Sequence, residues 1–169
     1  MMDARHVVAA VDALAAVGIA VWLDGGLGVD ALVGEQTRPH DDLDLVISVA
    51  EVDRTRQALA RLGYATIVDE LPTRCVVGAA GDLRIDLHTL TFDADGWGTQ
   101  RLQDGSAWRC PPACFAGRGR VAGRPVRCLS AEAQLLAHLG YEPDAKDHHD
   151  MRLLRDRLGL GLPAPFDEA

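Results

Sequence analysis

The chain has no surplus of positive charge. Its 17 lysines and arginines face 25 aspartates and glutamates, a formal net charge of −8 over 169 residues. Proteins that grip duplex nucleic acid present a basic face to the phosphates, so DNA and RNA are not expected partners. The balance suits a cationic small molecule, or an anion neutralised by a bound metal; acidity serving solubility alone accounts for it too. No apolar run is long enough to cross a bilayer. The opening stretch "MMDARHVVAAVDALAAVG" carries acidic residues and reads as an amphipathic helix, without a signal-peptide pattern. A cytoplasmic protein with no membrane partner is expected. Cysteine is sparse: Cys75, Cys110, Cys114 and Cys128 do not form the paired CxxC pattern of a zinc site. In a reducing compartment they are expected to be free, small apolar thiols, without disulfides. There is no internal repeat and no low-complexity tract. What is present is 48% apolar residues, enough for a core and for one domain or a domain with a small appendage.

Hydrophobic periodicity lays out the elements. Residues 3–17 have helical spacing and stop at Gly18; residues 19–23 read as a buried strand. The "DGG" of 24–26 is a sharp turn, followed by a helix over 27–32 that closes near Gly34. Strands are expected at 43–48, 64–68, 74–77 and 83–90, with an amphipathic helix over 51–62 between the first two. Residues 91–106, rich in Asp and Gly, read as a loop. "RGRVAGRPVRCL" (118–129) reads as a hairpin turned at Ala122–Gly123. Ser130 caps a helix over 131–139, and a last helix runs from about Asp144 to Leu158. The order implies an α/β (α+β) fold, a mixed sheet flanked by helices with a small helical C-terminal part. The expected division is a domain of residues 1–106 followed by a C-terminal part of 107–169, or one continuous domain.

The chemistry starts at "RPHDDLDLVI" (38–47). Side chains alternate along a strand, so Asp42 and Asp44 share one face while Leu43, Leu45 and Ile47 face the core. Asp41 falls on the other side. In "DLRIDLHTL" (82–90), Leu83, Ile85 and Leu87 alternate with Arg84, Asp86 and His88, which sets Asp86 mid-strand on a polar face. If the two strands pair, Asp42, Asp44 and Asp86 meet, and their mutual repulsion calls for divalent cations. Oxygen-only ligands favour Mg²⁺ or Mn²⁺ over zinc. Upstream, Gly25 and Gly26 sit between a strand and a helix, where backbone N–H groups and a positive helix end receive anions. A plain tight turn is the alternative for Gly25-Gly26, and D-x-D alone also occurs beside turns.

Gly25-Gly26, the helix after it, "TRPHDDLD" (37–44) and the later Asp86 together resemble the nucleotidyltransferase superfamily with a polymerase-β-like palm. "WLDGGLGVDALVGEQTRPHDDLDLVI" is similar, more narrowly, to the small aminoglycoside and lincosamide nucleotidyltransferases, notably the 2″-aminoglycoside adenylyltransferase group. The tail "GYEPDAKDHHDMRLLRDRLGL" (140–160) resembles the same group, whose last helix carries a Lys-Asp-x-x-Asp element. The resemblance implies that Gly25 and Gly26 bind the triphosphate. It implies that Asp42, Asp44 and Asp86 hold Mg²⁺ (or Mn²⁺), with Asp86 as ligand or base. Thr37, Arg38 and His40 would touch phosphates, and Lys146 would contact the nucleotide. Leu27 stands where many relatives carry an aromatic residue. The implied palm spans 1–106, and 107–169 would complete the nucleotide and acceptor sites.

The implied reaction transfers a nucleoside monophosphate, AMP from ATP or another NTP, to a hydroxyl of a small molecule such as an aminoglycoside. Asp93, Asp95, Asp104, Glu132 and Glu142 are the acids that would suit a polycationic acceptor if they line its cleft. A chain this short admits a homodimer in which a second copy completes the acceptor site. The alternative is a nucleotidyltransferase-fold member of a toxin–antitoxin pair acting on a protein partner; a binding module with a relic site is a third reading. His148 and His149 diverge by about 100° on a helix and make poor co-ligands. His88 is expected to be a half-buried, hydrogen-bonded neighbour of Asp86. Trp22 is expected in the core, with Trp97 and Trp108 packed at loop ends.

Overall fold

The computed structural model describes residues 1–167. The chain opens with α1 (Ala4–Ala16), capped by Asp3, whose carboxylate accepts the Arg5 and His6 N–H groups. Short strand β1 (Trp22–Asp24) leads directly into α2 (Gly25–Val33), which ends on left-handed Gly34. Then come β2 (Leu43–Ser48), a turn of 3₁₀ helix (Val49–Glu51) and α3 (Val52–Ala60). Strands β3 (Ala65–Glu70), β4 (Arg74–Ala79) and β5 (Leu83–Phe92) follow. After β6 (Gly98–Arg101) and β7 (Ala107–Cys110), a second 3₁₀ turn (Pro112–Ala116) leads to the hairpin β8 (Arg118–Val121) and β9 (Arg124–Arg127). Helices α4 (Ala131–Ala137) and α5 (Ala145–Leu158) close the fold. Asp144 and Asp147 form a capping box at the start of α5, and left-handed Gly159 ends it.

The sheet order is β1-β2-β5-β4-β3, with β6 pairing the far end of β5 and β7 pairing β6. Strands β2 and β5 run parallel; β1–β2, β5–β4 and β4–β3 are antiparallel. This is the mixed α+β architecture expected. One face of β2 and β5 carries Leu43, Leu45, Ile47, Ile85 and Leu87 into the main core, which they share with Val7, Leu14 and Leu59 of the helices. Each such side chain contributes about 1.5–3 kcal/mol on burial. A one-residue slip of either strand would turn these residues to the other face and the aspartates into the core, so the core fixes where the carboxylates point. On the opposite face, Val46 and Leu90 pack with Phe115, Trp22 and Phe92. Trp22 is held in this layer as expected, its indole N–H donating to the Phe115 carbonyl at 2.9 Å. A third cluster (Val29, Met151, Leu154, Phe166) joins α2 to α5.

Two expectations are corrected. The 91–106 segment is not all loop: β6 lies inside it and extends the sheet through β7 to Cys110. "GTQR" has neither alternation nor β-branched apolar residues to announce a strand. The cysteines are not all free: Cys110 and Cys114 form a disulfide with Cα atoms 6.1 Å apart, because the 3₁₀ turn folds the chain back beside the end of β7. Cys75 and Cys128 are buried thiols, and burial pushes the Cys128 thiol up to about 11. Among the described residues no helix is long and apolar enough to cross a membrane.

Candidate active site

Three neighbouring strands place a row of carboxylates. Asp24 lies opposite Asp44 across β1–β2, and Asp44 opposite Asp86 across β2–β5. His88, two residues on along β5, faces the same side with Nε2 3.2 Å from Asp44 Oδ1. Ligand-capable atoms of Asp44, Asp86 and His88 all lie within 4.8 Å of one another. Burial pushes the Asp44 carboxyl above the ordinary range, a shift that His88 opposes and the charges of Asp24 and Asp42 reinforce. For His88, burial works against the charged form. The Asp44 hydrogen bond and the charges of Asp24, Asp44 and Asp86 outweigh it and hold the imidazole up to about 9. His88 is therefore the half-buried, hydrogen-bonded neighbour expected, and a counter-charge to the carboxylates.

Asp86 has two unlike oxygens. Oδ2 accepts from Arg74 Nη1 at 2.9 Å, while Oδ1 is buried with no hydrogen-bond partner. Arg74 is itself braced by Glu70, 2.7 Å from its Nε. An orphaned carboxylate oxygen beside a second carboxylate fits a hard divalent cation. Asp42 precedes β2 and is exposed; it lines a smaller cavity with Asp44, Gly25 and Gly26.

The glycines are explained by what surrounds them. Gly25 opens α2 at φ +58°, and a Cβ there would lie 2.4 Å from Asp44 Oδ2. A Cβ on Gly26 would lie 2.0 Å from Arg38 Nη2 and 2.8 Å from His40 Cε1. The missing Cβ atoms thus let Asp44 and Arg38 close on the turn. Thr37, Arg38 and His40 are engaged with protein partners, and Arg38 and His40 also line the smaller cavity beside the turn. Thr37 Oγ1 donates to Asp30 at 2.6 Å and lies 3.0 Å from His149 Nε2. Arg38 donates to both oxygens of Asp150, at 2.9 and 2.6 Å. His40 Nδ1 lies 3.0 Å from Arg38 Nη1, and its Nε2 lies 2.6 Å from Asp30. Because a guanidinium only donates, Nδ1 accepts and Nε2 carries the proton to Asp30. Asp30, His40 and Asp150 are all buried.

The cleft has two compartments that share Gly25, Asp44 and His138. The smaller, about 190 Å³, is lined by Gly25, Gly26, Asp42 and Lys146 among others. Lys146 is mostly exposed, with Nζ 3.4 Å from Asp41. The larger, about 770 Å³, runs over Asp44 and His88 towards Leu102, Trp108, Leu136 and Tyr141. Of the acids expected to line an acceptor cleft only Asp104 does so. Asp93 instead folds its own loop, accepting the Asp95 and Trp97 N–H groups and pairing with Arg109. That arginine also stacks on Trp97, a loop-end packing as expected, whereas Trp108 reaches the cavity. His148 and His149 diverge, one against Phe166 and the other at Thr37.

Sequence reasoning left Asp24, Arg74 and Asp150 out of the candidate site. Asp24 had a signal, since it ends a strand just before Gly25-Gly26. Asp150 stood in the Lys-Asp-x-x-Asp element, where attention went to Lys146. Arg74 had none, because its reach to Asp86 depends on how β4 lies along β5.

A mixed sheet carrying adjacent aspartates beneath a strand–Gly-Gly–helix turn defines a nucleotidyltransferase. The family profile described as aminoglycoside-2″-adenylyltransferase matches residues 6–154, and the chain belongs to that family. It is 33% identical over 137 residues to a lincosamide resistance protein of Staphylococcus haemolyticus, covering 81% of this chain and 84% of that protein. It is 31% identical over 121 residues to a 2″-aminoglycoside nucleotidyltransferase of Escherichia coli, covering 72% of this chain but 64% of that longer protein. The fold superposes on the lincomycin-bound lincosamide antibiotic adenylyltransferase LnuA with a TM-score of 0.80 at 30% identity, covering 90% of this chain and 96% of LnuA.

Proposed function

We propose that this enzyme transfers a nucleoside monophosphate, AMP from ATP, to a hydroxyl of a sugar-containing antibiotic. The observation that carries the reading is Asp44, which lies opposite Asp86 across β2–β5 and lines both compartments, one against Gly25-Gly26 and one large enough for an acceptor. The triphosphate lies in the smaller compartment beside Gly25, Gly26 and Lys146, and the acceptor fills the larger. Asp42, Asp44 and Asp86 would hold Mg²⁺ or Mn²⁺, which when bound supplies charge neutralisation for the polyphosphate. Where Asp86 is not a ligand, it is the base that takes the proton of the acceptor hydroxyl. The freed oxygen bonds to the α-phosphorus, the bond to the bridging oxygen breaks, and pyrophosphate leaves. Thr37, Arg38 and His40 serve from beside the turn. The C-terminal helices complete both compartments through His138, Tyr141 and Lys146.

The larger compartment favours a particular acceptor. Leu102, Leu136 and Tyr141, all large apolar side chains left exposed, meet on its wall, and Asp104 is the one acid there besides Asp24 and Asp44. A lincosamide-like acceptor, one sugar with an apolar arm and a single cation, covers that wall. A polycationic aminoglycoside would leave it in water and its own charges unpaired. Pyrophosphate release with Mg·ATP or Mg·GTP against a panel of lincosamides and aminoglycosides tests both levels. Turnover with lincosamides and ATP is expected; no turnover with any antibiotic overturns the reading.

A further inference from the structure

We propose that the Arg38–Asp150 pair is a latch that sets the first turns of α5, and with them Lys146, against the Gly25-Gly26 turn. Arg38 and Asp150 are then positioning residues that act through Lys146 and the turn. The inference rests on the reading of Lys146 as a nucleotide contact.

Four observations meet here. First, Arg38 has little left to offer a phosphate. Of the five N–H donors of a guanidinium, two go to Asp150, one to the Pro39 carbonyl and one to His40. Second, the guanidinium packs against Gly26, where an added Cβ would come within 2.0 Å of Nη2 and 2.8 Å of Cζ. The latch and the turn therefore touch directly. Third, Lys146 and Asp150 are four apart on one helix and share a face; both line the smaller cavity. Fourth, the apolar grip on α5 lies further along, at Met151 and Leu154, while the side chains of Ala145 to His149 are not buried. The start of the helix is held by the latch, His149 at Thr37 and Asp147 with Tyr141, beside one ring contact of His148 with Phe166. Lys146 itself has a single exposed contact with Asp41, so its place follows from where the helix sits. A buried ion pair adds little net stability over an apolar one, and its best-attested use is to fix register.

The test measures Mg·ATP affinity by calorimetry and amide exchange of residues 144–150. It uses the wild type, Lys146→Ala, Asp150→Asn, their double variant, and the charge-free pair Arg38→Met/Asp150→Leu. Lys146→Ala and Asp150→Asn are each expected to weaken Mg·ATP by about tenfold, and the double variant by no more than about threefold beyond either. In turnover the KM for ATP rises more than kcat falls. Exchange at 144–150 quickens in Asp150→Asn and in Arg38→Met/Asp150→Leu. The latter leaves no buried charge alone, so it keeps the fold if Asp150→Asn does not. Wild-type ATP affinity in folded Asp150→Asn, effects that multiply in the double variant, or unchanged exchange would each overturn the latch. Wild-type affinity in Lys146→Ala would instead remove the nucleotide reading of Lys146, and the latch's purpose with it.

Discussion

Replacing Gly25 by alanine separates the two reasons for a glycine at this turn. Its φ of +58° lies in the left-handed region, which costs a residue with a Cβ about 1–2 kcal/mol. The added Cβ would also lie 2.4 Å from Asp44 Oδ2, so the carboxylate must turn away or the backbone must shift. Together these should lower stability by about 2–5 kcal/mol, and in a domain of this size each kcal/mol lowers the melting temperature by about 2–4 °C. Turnover should suffer more: moving a reacting group by about 1 Å costs about a hundredfold. Gly34→Ala is the internal control. Gly34 has φ +84°, but a Cβ there meets nothing within 4 Å. It should lose about 1–2 kcal/mol from the backbone alone and keep its specific activity. Thermal melts and pyrophosphate-release rates on both variants decide the matter. Gly25→Ala turnover within about threefold of wild type would refute the argument that this glycine exists to let Asp44 close on the turn.

Asp44→Asn should keep the fold and abolish turnover. Burial raises the Asp44 pKa, so ionising it costs stability as pH rises above the unfolded value, and the uncharged variant should melt at or above the wild type at neutral pH; a fully active Asp44→Asn ends the mechanism. Dialysis against a chelator should stop turnover without changing the circular dichroism spectrum, and Mg²⁺ or Mn²⁺ should restore it; activity that survives chelation would remove the metal from the site. Leu136→Asp sets a charge on the exposed apolar wall of the larger compartment. It should raise the KM of a lincosamide by about tenfold and leave that of ATP unchanged; an unchanged lincosamide KM would move the acceptor elsewhere.

How much of this was legible in the sequence varies with what each feature depends on. Strands β2 and β5 could be read because each buries one face, and a period of two then forces Asp44 and Asp86 to the other. The order of strand, glycine pair and helix was legible for the same local reason. Its surroundings were not: a Cβ there would meet Asp44 of β2 or Arg38 of the segment before it, contacts that local order does not show. Thr37, Arg38 and His40 show the limit most clearly. Beside β2 they read as phosphate contacts; Arg38 and His40 do line the smaller cavity, but polar atoms of all three are engaged by Asp30, His149 and Asp150, and the last two lie 112 residues away from their partners. Such pairings leave no trace in local periodicity. The Cys110–Cys114 bond and the β6–β7 hairpin were missed in the same way, since a polar strand and a backward turn carry no hydrophobic signature. Local alternation decides which side chains point into the cleft, and contacts distant in sequence decide which of them remain free to touch a substrate. Lys146, exposed and lightly held, is such a side chain beside the glycine turn. Arg38, nearer to the glycines in sequence and carrying the same charge, is already committed to Asp150.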